Sequence, residues 1–318
     1  MTNGDVRAML AGDIGSLARR RILVTGGQGM LGDAFARLLG TFAAGCEVRA
    51  PGKEELDVTN ESHLDAHAQW VRGGWVIHCA ALVNVEGCAK DPERAEAVIV
   101  RGTANVVRLA ERAGARVFYP QSFLIYDGQE NPIAEDCLPK PLSLYGQLKV
   151  EAERIVMASA ARPLSVRMAG FFGGEARDKN FVGKLIPHLD RLIREGQESF
   201  SVGDRVWQPT WTDDLAMNSL GLVSRDLDGV FQMACHGEAS FHDLAAAVAR
   251  ALGMDKHIEI RKVPLAEVSK NELGGRPVRA VLSCDRLRGE GLDAQRPWEA
   301  TLSEYLSSSY FDRYRRGH

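Results

Sequence analysis

In the first half of the chain, short apolar runs alternate with stretches in which apolar residues recur at helical spacing. Ile22 to Thr25 is a run of four apolar or β-branched residues that ends in glycines, the pattern of a buried strand. Leu31, Phe35, Leu38 and Leu39 then predict a helix over about Met30–Leu39 that stops at Gly40. Cys46–Ala50, Trp75–His78 and Arg116–Tyr119 read as further strands, and Leu56–Val58 as a short return to the sheet. A helix is expected from about Asn60 to Val71. Another starts at Asp91-Pro92, with an N-cap acceptor followed by proline, and runs through Val98, Ala104, Val107 and Leu109 to Gly114. Four alternations with short joints predict an α/β, doubly wound parallel sheet whose ligand lies at the carboxyl ends of the strands.

Pro163–Met168 continues the series, and beyond Ala169 the alternation weakens. The expected division is a sheet domain over 1–170 and a smaller α/β domain over 171–318, with 211–235 returning to the first. Ser240–Leu252 and Trp298–Leu306 read as helices and Ile258–Val263 as a strand. Residues 1–19 carry Val6, Met9, Leu10 and Leu17 at helical spacing but are interrupted by Gly12 and Gly15, so helix and disorder both remain open. The basic tail, Asp312–His318, reads as frayed.

Composition narrows the partners. The 318 residues hold 39 basic and 42 acidic side chains in a mixed pattern, a net charge of −3, which argues against nucleic acid or an anionic membrane held by bulk electrostatics. No run reaches signal or membrane-span length, and six cysteines without paired spacing read as reduced thiols. The expected location is cytoplasmic. His63 and His67 stand four apart on one helix face, but nothing near them completes a metal motif, so the expected metal is none.

The chemistry starts at the turn after Thr25. Gly26, Gly29 and Gly32 allow a tight strand-to-helix turn, close approach of the backbone to a pyrophosphate, and close helix packing, while the free N–H groups of the helix start, at Met30 and Leu31, face the anion. This is a dinucleotide site. At the end of the second strand no acid is present to hold a ribose hydroxyl; Arg49 and Lys53 stand there instead, which favours NADPH over NADH. Asp57, followed by Val58, is placed to bond an adenine amino group. Cys79, Ala80 and Ala81 leave room for a cofactor across the strand ends, or alternatively for a closely packed helix.

Tyr145 and Lys149, four apart at the start of a helix, share a face. An ammonium about 6 Å from the phenol at an effective dielectric of about 20 contributes about 3 kcal/mol, enough to lower the phenol pKa from about 10 by about two. Ser122 lies at a strand end about twenty residues earlier. In this reading Ser122 hydrogen-bonds a substrate carbonyl, Tyr145 gives it a proton as hydride arrives, and Lys149 also holds the nicotinamide ribose.

These pieces are those of a known family. Through TGGQGMLG, ELDVTN, VIHCAA, QSFLIYDG, IAEDCLPKPLSLYGQLK, KNFVGKL, QPTWTDDLA and RPVRAVLSCDRL, the chain resembles the extended short-chain dehydrogenase/reductases from Arg21 to Leu306. Within them it resembles the dTDP-4-dehydrorhamnose reductases. The resemblance implies a Rossmann domain with a smaller substrate domain, NADP or NAD as cofactor, and reduction of the C4 ketone of a nucleotide-linked 6-deoxy sugar. The implied partners are that nucleotide sugar and, in a homodimer, a second copy of the chain. Asn180 with Phe181 and Val182 is in a position that contacts the sugar nucleotide in relatives, and Lys184, Arg205 and Arg276 are candidates for its phosphates.

The departures lie in the sugar pocket. Gln121-Ser122-Phe123-Leu124 stands for Ser-Thr-Asp-Tyr, Gly170 for a substrate-facing tryptophan, Arg205 and Trp207 for Gln and Gly ahead of Pro209-Thr210, and Cys79 for a common asparagine. Two alternatives follow. One keeps the fold and uses the dinucleotide as a bound catalyst, as in related epimerases and dehydratases. The other is non-catalytic, because the chain also resembles the regulatory β subunit of methionine adenosyltransferase through its YGxxK stretch and LSCDRL.

Overall fold

A computed structural model describes residues 2–270 and 272–316. Its centre is a six-stranded sheet of β1 (Arg21–Thr25), β2 (Glu47–Arg49), β3 (Trp75–His78), β4 (Arg116–Ser122), β5 (Leu164–Met168) and a sixth strand, Gly229–Met233. The spatial order is sixth strand, β5, β4, β3, β1, β2, and every pairing is parallel. Because β1 lies between β2 and β3, successive crossovers leave it in opposite directions and open a crevice at the carboxyl ends of β1 and β3. Separate apolar clusters cover the two faces, one around Phe35, Phe118 and Phe231, the other around Leu64, Val106 and Val156.

β4 runs through Ser122, three residues past Tyr119. Its pairing with β3 ends at Phe118, whereas its pairing with β5 continues to Ser122↔Met168. Pro120 therefore sits where β4 has a neighbour on one side only, and its missing N–H costs no ladder bond. That overhang forms one wall of the crevice.

Several local expectations are corrected. Leu56–Val58 is not a strand: Leu56 and Val58 are buried, and the Val58 carbonyl accepts a hydrogen bond from the Asn105 side chain at 2.9 Å in place of a sheet partner. After β3, Asn84 caps a helix over Val85–Lys90 that has no counterpart among the expected elements. The long helix to Gly114 is broken by a π-helical turn at Ala97–Arg101. Residues Asn3–Gly15 form a helix closed at its start by a Thr2/Asp5 capping box. Leu10 and Ile14 are fully buried and Leu10 packs on Gly221, so tertiary burial overrides the two glycines. The tail is fixed as far as Arg316, whose side chain pairs with Asp190 and whose N–H donates to the Leu252 carbonyl; Gly317 and His318 lie outside the described residues.

The Phe171–Phe172 strand pairs with Thr210–Trp211, Val206–Trp207 with Ala239–Ser240, and Ser199–Gly203 with Glu259–Val263. Helices Phe181–Arg194, Phe241–Ala251 and Trp298–Leu306 surround a third apolar cluster that includes Leu189, Leu244 and Leu302. Arg177 reaches Asp33 at 3.4 Å, and Met30 lies against Gly174, so this half borders the glycine turn.

Candidate active site

The glycine turn is sterically committed. Gly26 has φ +66°, and a Cβ there would stand 2.8 Å from the Ala80 nitrogen; a Cβ on Gly32 would stand 2.4 Å from the Gly26 carbonyl oxygen. Neither position tolerates a side chain unless backbone moves. Gly29 is the N-cap of the helix Met30–Phe42 and has no side chain to satisfy the first N–H groups, which leaves them for an anion. Leu31 is buried beneath the turn. Ala80 donates its N–H to Thr25 Oγ1 at 3.2 Å, drawing the end of β3 against the turn. The hydroxyl of Thr25 also meets His78 Nδ1 at 2.8 Å, and His78 Nε2 meets Thr103 Oγ1 at 3.1 Å. Burial holds His78 neutral, with a pKa pushed down to about 3. These threonine and histidine partners of the cradle escaped sequence reasoning, because a buried polar run looks the same as a strand end.

Arg49 ends β2, its guanidinium 4.3 Å from the centre of the Trp70 ring. Lys53 is exposed and 3.9 Å from Asp57. The Asp57 carboxylate accepts from the Thr59 N–H at 2.9 Å and the Thr59 hydroxyl at 2.7 Å, which holds its pKa below the usual carboxylate range against the cost of burial. Oδ1 is thus committed to the turn, and Oδ2 lies toward Lys53. His63 accepts from the Asp57 N–H at 3.2 Å and is not paired with His67. Among the described residues no cluster of three or more His, Cys, Asp or Glu has a metal-holding arrangement.

Ser122, Tyr145 and Lys149 converge at the overhanging end of β4. Ser143 caps the helix Leu144–Met157 by accepting from the Gly146 N–H at 3.2 Å. Gly146 lets that helix touch the Ser122 loop: a Cβ there would lie 2.4 Å from the Leu124 carbonyl oxygen. The Ser122 oxygen accepts the Leu124 N–H at 3.1 Å, and its hydroxyl contacts the Tyr145 phenol. Gln121 ties the same helix down, donating to the Lys149 carbonyl at 2.8 Å and accepting from the Ser122 N–H at 2.8 Å. Phe123 and Leu124 begin a short 3-10 turn beyond.

The electrostatic expectation for Tyr145 is overturned. Burial pushes its phenol up to about 12, with the Ser122 contact opposing and the Cys88 thiol adding to the rise. Lys149 does not depress it, because the ammonium turns away, donating to the Pro120 carbonyl at 2.8 Å and lying 3.9 Å from the Tyr119 ring centre. Burial lowers Lys149 itself to about 7, while Glu153 and Cys79 pull the other way. The Cys79 thiol is pushed up to about 12 by burial.

On the other side of the crevice, Trp207 covers Gly170. A Cβ on Gly170 would lie 2.0 Å from the indole, which also stacks on Phe241 at 5.3 Å. The bulk missing at 170 is thus supplied by 207. Asn180 donates its side-chain amide to the Phe171 carbonyl at 2.9 Å. Arg205 forms a two-pronged pair with Glu272 at 3.0 and 2.9 Å, and Arg276 bridges Glu86 at 2.5 Å and Glu272 at 3.5 Å. Lys184 adds to the positive field on Glu86, whose pKa stays low despite burial. Arg205 and Arg276 are thus brought together on two carboxylates that the sequence did not single out, with Lys184 near enough to act on one of them.

The family model described as "RmlD substrate binding domain" matches residues 20–311. A dTDP-4-keto-6-deoxy-D-glucose reductase of Streptomyces niveus is 32% identical over 89% of this chain and 96% of its own length. Methionine adenosyltransferase 2 subunit beta of Danio rerio is 26% identical over 87% and 86%. Among solved structures, the dTDP-4-dehydrorhamnose reductase of Bacillus anthracis in complex with NADP superposes with a TM-score of 0.81 at 25% identity, over 91% of this chain and 99% of that one. With the glycine turn, the parallel sheet and the Ser122–Tyr145–Lys149 grouping in the same frame, the chain belongs to the RmlD family of extended short-chain dehydrogenase/reductases.

Proposed function

We propose that the protein is an NADPH-dependent oxidoreductase that reduces the C4 ketone of a nucleotide-linked 4-keto-6-deoxy sugar, in the crevice between residues 1–170 and 171–318. The observation that carries this reading is the meeting of Ser122, Tyr145 and Lys149 at the end of β4, beside a glycine turn with no space for side chains. The turn and the small residues Ala80 and Ala81 fit a dinucleotide pyrophosphate; Arg49 and Lys53 fit the 2′-phosphate of NADP. NADP is the preferred cofactor, with NAD the alternative. When bound, the dinucleotide supplies the hydride.

The chain's own residues handle the proton. With its pKa at about 12, Tyr145 is protonated throughout the neutral range and is in the donor form for a reduction. Ser122 accepts the Leu124 N–H, and its hydroxyl, in contact with the Tyr145 phenol, turns its proton to the carbonyl oxygen when the substrate is bound. Lys149 uses one ammonium proton on Pro120 and has others for a ribose hydroxyl. Phe123 and Trp207 border the sugar, and Asn180 keeps an amide oxygen for it. Lys184, Arg205 and Arg276 receive the diphosphate. The reading is tested by following NADPH oxidation by absorbance with a panel of dTDP-linked 4-keto-6-deoxy sugars. Turnover that matches product formation supports it; cofactor binding without oxidation on any sugar overturns it.

A second reading has its own support. Similarity to the β subunit of a methionine adenosyltransferase, together with apolar Phe123 and Leu124 beside Ser122, favours a dinucleotide-binding regulatory partner. Its signature is a changed activity in a partner enzyme with no sugar turnover.

A further inference from the structure

We propose that Glu272 is an internal counter-anion of the diphosphate site, and that a nucleotide sugar binds by exchanging its diphosphate for this carboxylate on Arg205 and Arg276. The inference rests on the diphosphate assignment above. Glu272 takes both Nη groups of Arg205, at 3.0 and 2.9 Å, and also reaches Arg276 at 3.5 Å. The Arg205 side chain is only 11% exposed, and its Nε is buried with no acceptor. A carboxylate has two oxygens to give to this site. A diphosphate has more, and matches arginine forks in the same two-pronged way.

Charge decides which group leaves. Lys184, Arg205 and Arg276 against Glu86 and Glu272 leave one net positive charge, so the doubly ionised diphosphate linkage of a nucleotide sugar is neutralised only when a carboxylate withdraws. Glu86 is the poorer candidate, because it lies in the first turn of the Val85–Lys90 helix, where the free N–H groups hold a negative charge. Glu272 precedes an irregular stretch, 273–278, that lies against the loop ahead of the catalytic helix. Gly274 rests on Val85 and Ser143, and Gly275 on Leu142. Ser143 caps the helix that carries Tyr145. Departure of Glu272 therefore acts on a stretch that lies on the loop beginning the catalytic helix, while the Arg276–Glu86 pair and the Val206–Arg279 bridge keep that stretch anchored.

The test is isothermal titration of the full chain with dTDP, inorganic pyrophosphate and thymidine. Glu272→Gln is expected to bind dTDP and pyrophosphate about tenfold more tightly, about 1.4 kcal/mol, with thymidine and NADPH affinities unchanged. Glu86→Gln, which leaves Glu272 in place, is expected to change pyrophosphate affinity by less than about half of that on the same logarithmic scale. Unchanged or weaker dTDP binding in Glu272→Gln overturns the exchange, and so does an equal tightening in both variants, which marks a general charge effect. Tight diphosphate binding without sugar reduction would remove the proposed function and leave the exchange standing; sugar reduction with no response to Glu272→Gln would do the reverse.

Discussion

At the turn between β1 and the Met30–Phe42 helix, the groups that would meet a phosphate are main-chain N–H groups held by glycine geometry, and the acid in the first turn of that helix, Asp33, is taken up by Arg37 and Arg177. At the Lys184–Arg205–Arg276 cluster they are side-chain cations, of which Arg205 and Arg276 are already paired with Glu272 and Glu86. The first site is pre-organised: its cost is met in folding, and its N–H groups have no side-chain cap to give up. The second is occupied by the protein's own anions, so a ligand there competes with an existing ion pair. Backbone dipoles have fixed positions set by packing, whereas long cationic side chains gain definition only from partners.

The comparison can be broken at the point where the two sites meet. Tyr145→Phe removes the proposed proton donor between them and is expected to lower kcat by about 100-fold or more, with NADPH affinity by fluorescence within about twofold. A loss of cofactor binding instead would mean that the phenol is structural. Gly32→Ala puts a Cβ 2.4 Å from the Gly26 carbonyl oxygen. It is expected to cost about 1–3 kcal/mol of stability in chemical denaturation and to weaken NADPH about tenfold or more; an undisturbed Kd would show that the turn does not hold the pyrophosphate. Arg276→Ala is expected to raise KM for the nucleotide sugar about tenfold, with NADPH affinity untouched. Equal effects on both ligands would dissolve the distinction between the two sites.

The smallest effect is a pH dependence. Lys149 in the free protein loses its charge as pH rises through about 7, while Tyr145 keeps its proton to about 12. kcat/KM for reduction is therefore expected to fall a few-fold above pH 7, with no separate tyrosine limb below pH 10. The stability consequence has the opposite slope. Lys149 is lowered from 10.5 in the folded state, so the unfolded chain binds more protons between about 7 and 10.5. This group makes the protein gain stability as pH rises through that window. A Lys149→Met variant should remove that component of the Tm profile.

Features set by local rules were legible without a structure. The strand–glycine–helix turn, the Asp91-Pro92 helix start and the Tyr145/Lys149 spacing each depend on residues a few positions apart. What was missed depends on distant neighbours. Gly12 and Gly15 argue against the first helix until Gly221 gives Leu10 a surface to pack on. Pro120 argues against a central strand until β3 is seen to end before it. The pKa of Tyr145 was misjudged because helical spacing fixes where Lys149 starts and says nothing of where its ammonium ends. Burial then outweighed the charge that was expected to act on it.

The sequence by itself determined the parallel α/β sheet, the glycine turn and the spacing that sets Tyr145 and Lys149 at the start of one helix, because these follow from backbone conformation and short periodicities. Only the tertiary structure decided that Trp207 fills the space over Gly170, that Lys149 faces Pro120, and that Glu272 holds Arg205 and Arg276. The Gly170–Trp207, Pro120–Lys149 and Arg205–Glu272 contacts each join residues separated by tens of positions, and Arg276, four residues from Glu272, shares that carboxylate only because Arg205 has brought it there. Side-chain packing and charge pairing across such distances are fixed by the assembled fold and leave no periodic trace along the chain.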